Sequence, residues 1–358
     1  MRILIDIGHP AHIHLFKNFA WRMQERGHKI LFTCRDRECV LQLMRVYEFV
    51  YDNFGKHYSS VQGKIFGLLK NELQMLNTAI QFKPDLFLSH GSTIAAFTSF
   101  IMHKPHIAFE DTFNMEQVKL SMPFTDVVLT GDYPHPSLGK KEIKYPGYHE
   151  LAYLHPNVFT PDESVLEILG MRKGDKYAIV RFVALQATHD IGHKGISYEN
   201  KIKLVNTLSR HLRVFISSET ELPDELKKYK INIPPEQMHN ALAFAHLFIG
   251  ESGTMASESA VLGTPNILIG PRAPFIGIHK ELSNRFKLQH IFINIQEAWG
   301  LINYFARSNK PKEEMKNKVD ILYKNKIDVT AFLVWFINNY PESKNEAKNS
   351  EFVFSSFH

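Results

Sequence analysis

Along the first 34 positions the apolar residues change their period twice. Ile3, Leu4 and Ile5 form a short continuous run, broken at Gly8-His9-Pro10. Leu15, Phe16, Phe19, Ala20 and Met23 then recur at helical spacing, Gly27 offers a left-handed stop, and Ile30-Leu31-Phe32 starts a second run. A strand, helix and strand this closely spaced predict two parallel strands joined by a right-handed crossover. The rhythm continues with a helix over about 38–47, a strand at 49–51 and a long helix ending before Pro84. Strands at 86–88, 106–109 and 127–129 follow, with a helix over 93–102.

Pro146, Pro156 and Pro161 then crowd one stretch, and a linker is expected over residues 151–174. Beyond it a second series begins, with strands at 177–180, 214–216, 247–249, 266–269 and 291–293. Helices over about 199–211, 238–245 and 256–262 lie among them. The expected fold class is α/β, with two Rossmann-like doubly wound parallel-sheet domains and a cleft between them. Their expected limits are residues 1–150 and 175–340, and the polar tail, residues 341–358, reads as disordered.

Composition narrows this without redirecting it. A chain of 358 residues suits two domains of ~150 residues each, and 44% hydrophobic with 22% charged residues excludes a disordered chain. The net charge of +5 is dispersed, without the dense basic arm of a nucleic-acid binder. Cys34 and Cys39 show no disulfide or zinc spacing, which fits a reducing, cytoplasmic setting. The chain runs from Met1 straight into a strand, which leaves no room for a signal-peptide core. No apolar run approaches the ~20 residues that span a bilayer; residues 331–337 come nearest before Asn338-Asn339 ends them. Peripheral contact with a membrane stays open.

Open parallel sheets bind ligands outside the carboxyl ends of their strands, so the strand-to-helix loops carry the candidate chemistry. In Gly250-Glu251-Ser252-Gly253-Thr254, Gly253 lets a ligand approach the backbone, Ser252 and Thr254 offer hydroxyls, and the helix start suits a phosphate. Glu258, about one turn on, could accept from both hydroxyls of a ribose. The bland alternative is a small-residue turn. The loop at residues 6–14 holds His9, His12 and His14. Extended, it would put His12 and His14 on one face, as metal ligands; a helix beginning at Pro10 would send them apart. His12 is the candidate general base. A third loop joins Arg181 to Thr188, His189, Asp190, His193 and Lys194, whose charges suit a diphosphate and whose His189 suits proton transfer. His90-Gly91-Ser92-Thr93 and Glu110-Asp111-Thr112 follow two further strands and could bind a sugar or merely cap helices.

These loops resemble those of GT-B glycosyltransferases and of the non-hydrolysing UDP-N-acetylglucosamine 2-epimerases. The segment from Glu251 through Glu258 to Gly263-Thr264-Pro265 is similar to the motif that holds the nucleotide's phosphates and ribose, with Glu258 on the ribose-binding glutamate. His90-Gly91-Ser92-Thr93 and Glu110 align with the epimerases' His-Gly-Asp-Thr and Val-Glu-Ala-Gly segments, and Tyr145-Pro146-Gly147 with the Thr-Gly-Asn stretch before the linker. To about residue 340 the chain is also similar to the uncharacterised family called domain of unknown function 354, through the loops at 6–14 and 189–195. Two departures matter. Ser92 replaces an acidic catalytic residue, and Gly8-His9-Pro10 lacks the arginine of the Gly-Thr-Arg-Pro loop.

The resemblance implies a UDP-sugar-dependent glycosyltransferase acting on a sugar or lipid-linked acceptor, with an epimerase as runner-up. The rivals are a metal-dependent hydrolase on His12 and His14 and a non-catalytic sensor. The expected catalytic residues are His12, Glu110 and His189. The expected donor-binding residues are Gly8, His9, Arg181, His193, Ser252, Gly253, Thr254 and Glu258, with no metal and no cofactor.

Overall fold

The computed structural model describes the whole chain except residues 57–60, 184–194, 310 and 350. It divides into two compact units, Met1–Val158 with Lys326–His358, and Phe159–Asn325.

The first unit is built on β1 (Arg2–Ile7), β2 (Lys29–Asp36), β3 (Tyr51–Lys56), β4 (Leu86–His90), β5 (His106–Phe109), β6 (Val127–Gly131) and β7 (Glu142–Tyr145). Their order is β3-β2-β1-β4-β5-β6-β7, with every pairing parallel. The order reverses between β1 and β4, where Asp6 lies in register with Ser89. Ile3, Leu4 and Ile5 are fully buried, as a continuous apolar run in a central parallel strand should be. The helix Pro10–Glu25 covers the sheet with Ile13, Phe16, Phe19, Ala20 and Met23, and Gly27 beyond it takes φ +80°, the left-handed stop its position predicts.

The second unit holds β8 (Tyr177–Phe182), β9 (Arg213–Ser218), β10 (Leu247–Gly250), β11 (Asn266–Ile269) and β12 (His290–Phe292), ordered β12-β11-β10-β8-β9 and again parallel throughout. The reversal falls between β8 and β10, where Gly250 pairs with Arg181. A Cβ at Gly250 would lie 2.8 Å from the Arg181 carbonyl oxygen, so this strand end requires glycine. The core gathers Tyr177, Ile179, Phe248, Ala256 and Leu268 around the short helices.

Three expectations about organisation need correction. Residues 326–340 were assigned to the second domain, yet they pack in the first unit. The helix Val329–Asn338 is apolar on nearly every side, and Val329, Phe332, Leu333, Phe336 and Ile337 are all fully buried. Each such side chain gains about 1.5–3 kcal/mol from leaving water, so the helix must join a core. Phe332 lies 5.5 Å from the Tyr145 ring, and Asp328, which caps the helix, pairs with Arg22 at 3.5 Å.

The tail was read as disordered; it forms a helix at Glu342–Glu346 and a turn at Phe354–Phe357. Its phenylalanines explain this, since Phe352, Phe354 and Phe357 sit around Phe332 and Trp335. Nor is the expected linker a loose strap. Leu151–Leu154 is a buried helix of the first unit, while Val165 and Leu166 enter the core of the second. Strand β7, which the sequence reading passed over, completes the first sheet. No helix among the described residues is long and apolar enough to cross a membrane.

Candidate functional site

The carboxyl edge of the first sheet collects most of the titratable side chains. Pro10 opens the first helix, where its fixed φ and missing N–H cost nothing, and His9 caps it by accepting the Ala11 N–H at 3.2 Å. That start decides between the two arrangements left open for the histidines. His12 turns toward the sheet edge, its Nδ1 accepting the Gly8 N–H at 3.3 Å and its ring stacked 4.4 Å from that of His90. His14 turns away to the Tyr47 hydroxyl, at 3.4 Å, and the Tyr153 ring. The two therefore share no metal.

Asp6, at the end of β1, is almost fully buried and accepts from Thr33 Oγ1 at 2.8 Å, Ser92 Oγ at 2.6 Å and Arg35 Nη2 at 3.2 Å. The same Arg35 Nη2 donates to the Ile7 carbonyl at 3.0 Å. The arginine absent from the Gly8-His9-Pro10 loop thus has a spatial counterpart, brought from β2. Ser92, standing in an acidic position of the resembling enzymes, caps the Thr93–Ile101 helix and borrows a carboxylate from Asp6.

Strand β5 is followed at once by Glu110 and Asp111, which make different contacts. Glu110 Oε1 accepts three bonds, from the Thr112 N–H and hydroxyl and the Phe113 N–H, and so shapes its loop. Its Oε2 faces Gly91, where a Cβ would lie only 3.2 Å away and φ is +55°. Asp111 stands between two imidazoles: His90 Nε2 is 2.9 Å from Oδ1 and His149 Nδ1 is 3.1 Å from Oδ2. Burial pulls the His90 imidazolium down, but Asp111, with Glu110 behind it, outweighs this and raises it to about 9. Burial would lift the Asp111 carboxyl, yet the two histidines hold it well below the usual carboxylate range. His12 is pushed well below the usual imidazole value, first by burial and then by the His90 charge, and stays neutral.

Asp111 and His149 are the residues that sequence reading missed as a pair. Asp111 was named only as part of a loop. His149 follows the Tyr145-Pro146-Gly147 turn, and its one signal was its place two residues after that motif.

The second sheet presents a different edge. The Gly253–Val261 helix starts three residues before its expected limit, with Ser252 as the cap accepting from the Met255 N–H. A Cβ on Gly253 would come within 2.8 Å of His279 Nε2, so the close approach that demands glycine is that of a buried imidazole. Thr254 is exposed at the helix start. Glu258 is buried and 3.0 Å from His239 Nε2. Arg181 at the end of β8 donates to Ser217 Oγ at 2.7 Å and Glu219 Oε1 at 2.6 Å, so its charge is paired.

Glu251, which the sequence reading left without a role, accepts the Val183 N–H at 3.3 Å and the Ile196 N–H at 2.7 Å. It thereby ties the two chain segments that flank residues 184–194. Burial above all raises its carboxyl pKa. Beside it lies a cavity of about 320 Å³ lined by Glu251, Ser197, Asn200, Gly270, Asn294 and Gln296 among others. Expected residues His189 and His193 lie outside the described residues.

Two parallel-sheet α/β units, each gathering polar side chains where its strand order reverses, define the GT-B class of fold. Within that class the chain belongs to the family described as protein of unknown function (DUF354), which matches residues 1–330. An uncharacterised protein of Methanocaldococcus jannaschii is 25% identical over 337 residues, covering 90% of this chain and 96% of that one. Among solved structures, the Staphylococcus aureus MnaA–UDP complex superposes with a TM-score of 0.68 at 12% identity, covering 96% of this chain and 97% of its own. The UDP-GlcNAc 2-epimerase of Neisseria meningitidis bound to UDP-GlcNAc gives 0.58 at 13% identity, covering 91% and 99%. The glycosyltransferase VinC in complex with dTDP gives 0.58 at 11%, covering 94% and 99%. At these identities the likeness is one of fold.

Proposed function

We propose that the protein is a nucleotide-sugar-dependent enzyme, a glycosyltransferase that draws on a UDP-sugar donor. The observation that carries this reading is the start of the Gly253–Val261 helix at the reversal point of the second sheet. Unpaired N–H groups and the positive end of the helix dipole suit a diphosphate there. In this reading the phosphates meet Ser252, Gly253 and Thr254, and the ribose meets Glu258, whose carboxylate His239 orients. Arg181 steadies the departing diphosphate by exchanging Glu219 for it.

The first unit supplies the acid–base groups. His12, kept neutral by burial, takes the acceptor hydroxyl's proton at Nδ1 once that atom gives up the Gly8 N–H it accepts in the free protein, and Glu110 Oε2 orients that hydroxyl. The solved structures of the same fold that hold UDP, UDP-GlcNAc and dTDP support a nucleotide-sugar ligand. A second reading, sugar epimerisation, is favoured by the density of proton-carrying groups at the first edge and by Asp6 standing beside Ser92.

The test is melting of the full chain with a panel of nucleotides and nucleotide-sugars, repeated on Glu258→Gln. A ligand at ~100 times its Kd adds about 2.7 kcal/mol of stability. A UDP compound should shift the wild type and leave the variant where it was. A panel in which no nucleotide moves either protein would sink the proposal. Incubation with the bound UDP-sugar in heavy water then separates the two readings: deuterium at the sugar C2 means epimerisation, and UDP release with the sugar passed undeuterated at C2 to water, the one acceptor then present, means transfer.

A further inference from the structure

We propose that His90, Asp111 and His149 form a binding site for one divalent transition-metal ion at the carboxyl edge of the first sheet. The three residues come from three different strand ends, β4, β5 and the turn after β7, and each presents one ligand atom, all within 4.8 Å of one another. The His90 Nε2 to Asp111 Oδ1 and His149 Nδ1 to Asp111 Oδ2 separations are 2.9 and 3.1 Å. With metal–nitrogen and metal–oxygen bonds of ~2.0–2.2 Å, neighbouring ligands of a tetrahedral ion lie about 3.3–3.6 Å apart, so the side chains need to part by only about 0.5 Å to admit one.

His149 supplies the second, independent observation. It is 94% buried, yet neither ring nitrogen has an aligned hydrogen-bond partner among the described residues. Its Nδ1 reaches Asp111 at ion-pair distance without hydrogen-bond alignment. Buried imidazole nitrogens are normally paired, and one left unpaired costs about 1–3 kcal/mol. A metal ion would satisfy the ligating nitrogen in a way that the neighbours Phe109 and Tyr145 do not, because both only pack against the ring.

Two imidazoles and one carboxylate favour zinc, cobalt or nickel over magnesium or calcium, which prefer all-oxygen shells. Three protein ligands leave a coordination position open, as in zinc sites that bind a water or a substrate oxygen. Asp111, its side chain a third exposed, keeps the cluster in reach of solvent. This site differs from the metal site considered from sequence, since His14 points elsewhere and His12 contributes a stacked ring rather than a ligand. It is also independent of the donor reading, which rests on the second unit.

The experiment is titration of the full chain, stripped with chelator, with cobalt(II) chloride, read by visible absorption and calorimetry, with zinc chloride as competitor. The wild type should take up one equivalent with a ligand-field spectrum that zinc abolishes. Asp111→Asn and His149→Gln should each weaken binding at least tenfold, and His14→Gln should not. Far-UV circular dichroism and melting identify any variant that fails to fold, in which case the other ligand variant decides. No stoichiometric uptake by the wild type overturns the proposal. So does uptake that survives both ligand substitutions, or that falls equally in His14→Gln. Because the readout is cobalt binding, it stands or falls apart from any result with nucleotides.

Discussion

The two carboxyl edges have the same architecture and opposite chemistry. At the first, three strand ends, those of β1, β4 and β5, bring together Asp6, His90, Glu110 and Asp111, joined by His12 and His149 from neighbouring segments. Asp6, Glu110 and His149 are buried and the other three half-buried, and they set one another: burial and then the His90 charge lower His12, while Asp111 outweighs burial and raises His90. At the second edge the described carboxylates and Arg181 are already tied up, and what is presented is a helix start, two hydroxyls and a cavity. One edge gathers imidazoles and carboxylates; the other presents a helix start with few uncommitted charges. The same doubly wound sheet supports both, because the strand ends fix positions while the side chains placed there fix the chemistry.

The sharpest way to break that division is His12→Gln. Removing a positioned acid–base group costs about 10²–10⁴-fold in rate. UDP release from the donor should fall by that factor while the nucleotide's melting shift persists. Loss of nucleotide binding in this variant would show that the two edges do not divide the work. Glu258→Gln is the converse test. The amide can still meet His239, so the fold should hold, but the nucleotide's stabilisation, about 2.7 kcal/mol at ~100 times Kd, should vanish.

Smaller effects refine the picture without ligand. Gly253→Ala drives a methyl group into His279, and overpacking of this kind costs about 1–3 kcal/mol, readable as a lower urea midpoint. A midpoint at or above that of the wild type would mean that His279 yields freely and that glycine is there for the ligand alone. Ser92→Ala removes both a helix cap and a donor to Asp6, a loss of about 1 kcal/mol if capping dominates. A loss several times larger would mark the Asp6 cluster as the keystone of the first edge.

Much of the fold was legible before any coordinates. Short continuous apolar runs read as buried parallel strands when helices alternate with them, and eleven of the twelve strands among the described residues lie at or overlap the predicted positions. The missing one, β7, is Glu142–Tyr145, whose alternation of polar and apolar residues is too brief to register beside a proline turn. The C-terminal segment misled for a related reason. Its phenylalanines are spaced irregularly among polar residues, so no period announces that Phe352, Phe354 and Phe357 gather on Trp335.

The amino-acid sequence by itself determined the strand and helix succession, the Ser252 to Glu258 helix start, and the concentration of histidines near the first strand end. These are local properties, set by period, capping and glycine placement within a few residues. Tertiary structure alone decided which distant groups meet. It placed Arg35 beside a loop that lacks its own arginine, joined Asp6 to Ser92 across 86 positions, and set His149 against Asp111. It also parted His12 from His14, two residues apart, by starting a helix at Pro10. The physical reason is the same in each case. A parallel sheet orders its strands by packing and crossover geometry rather than by chain order, so the neighbours of a strand end are chosen by the sheet.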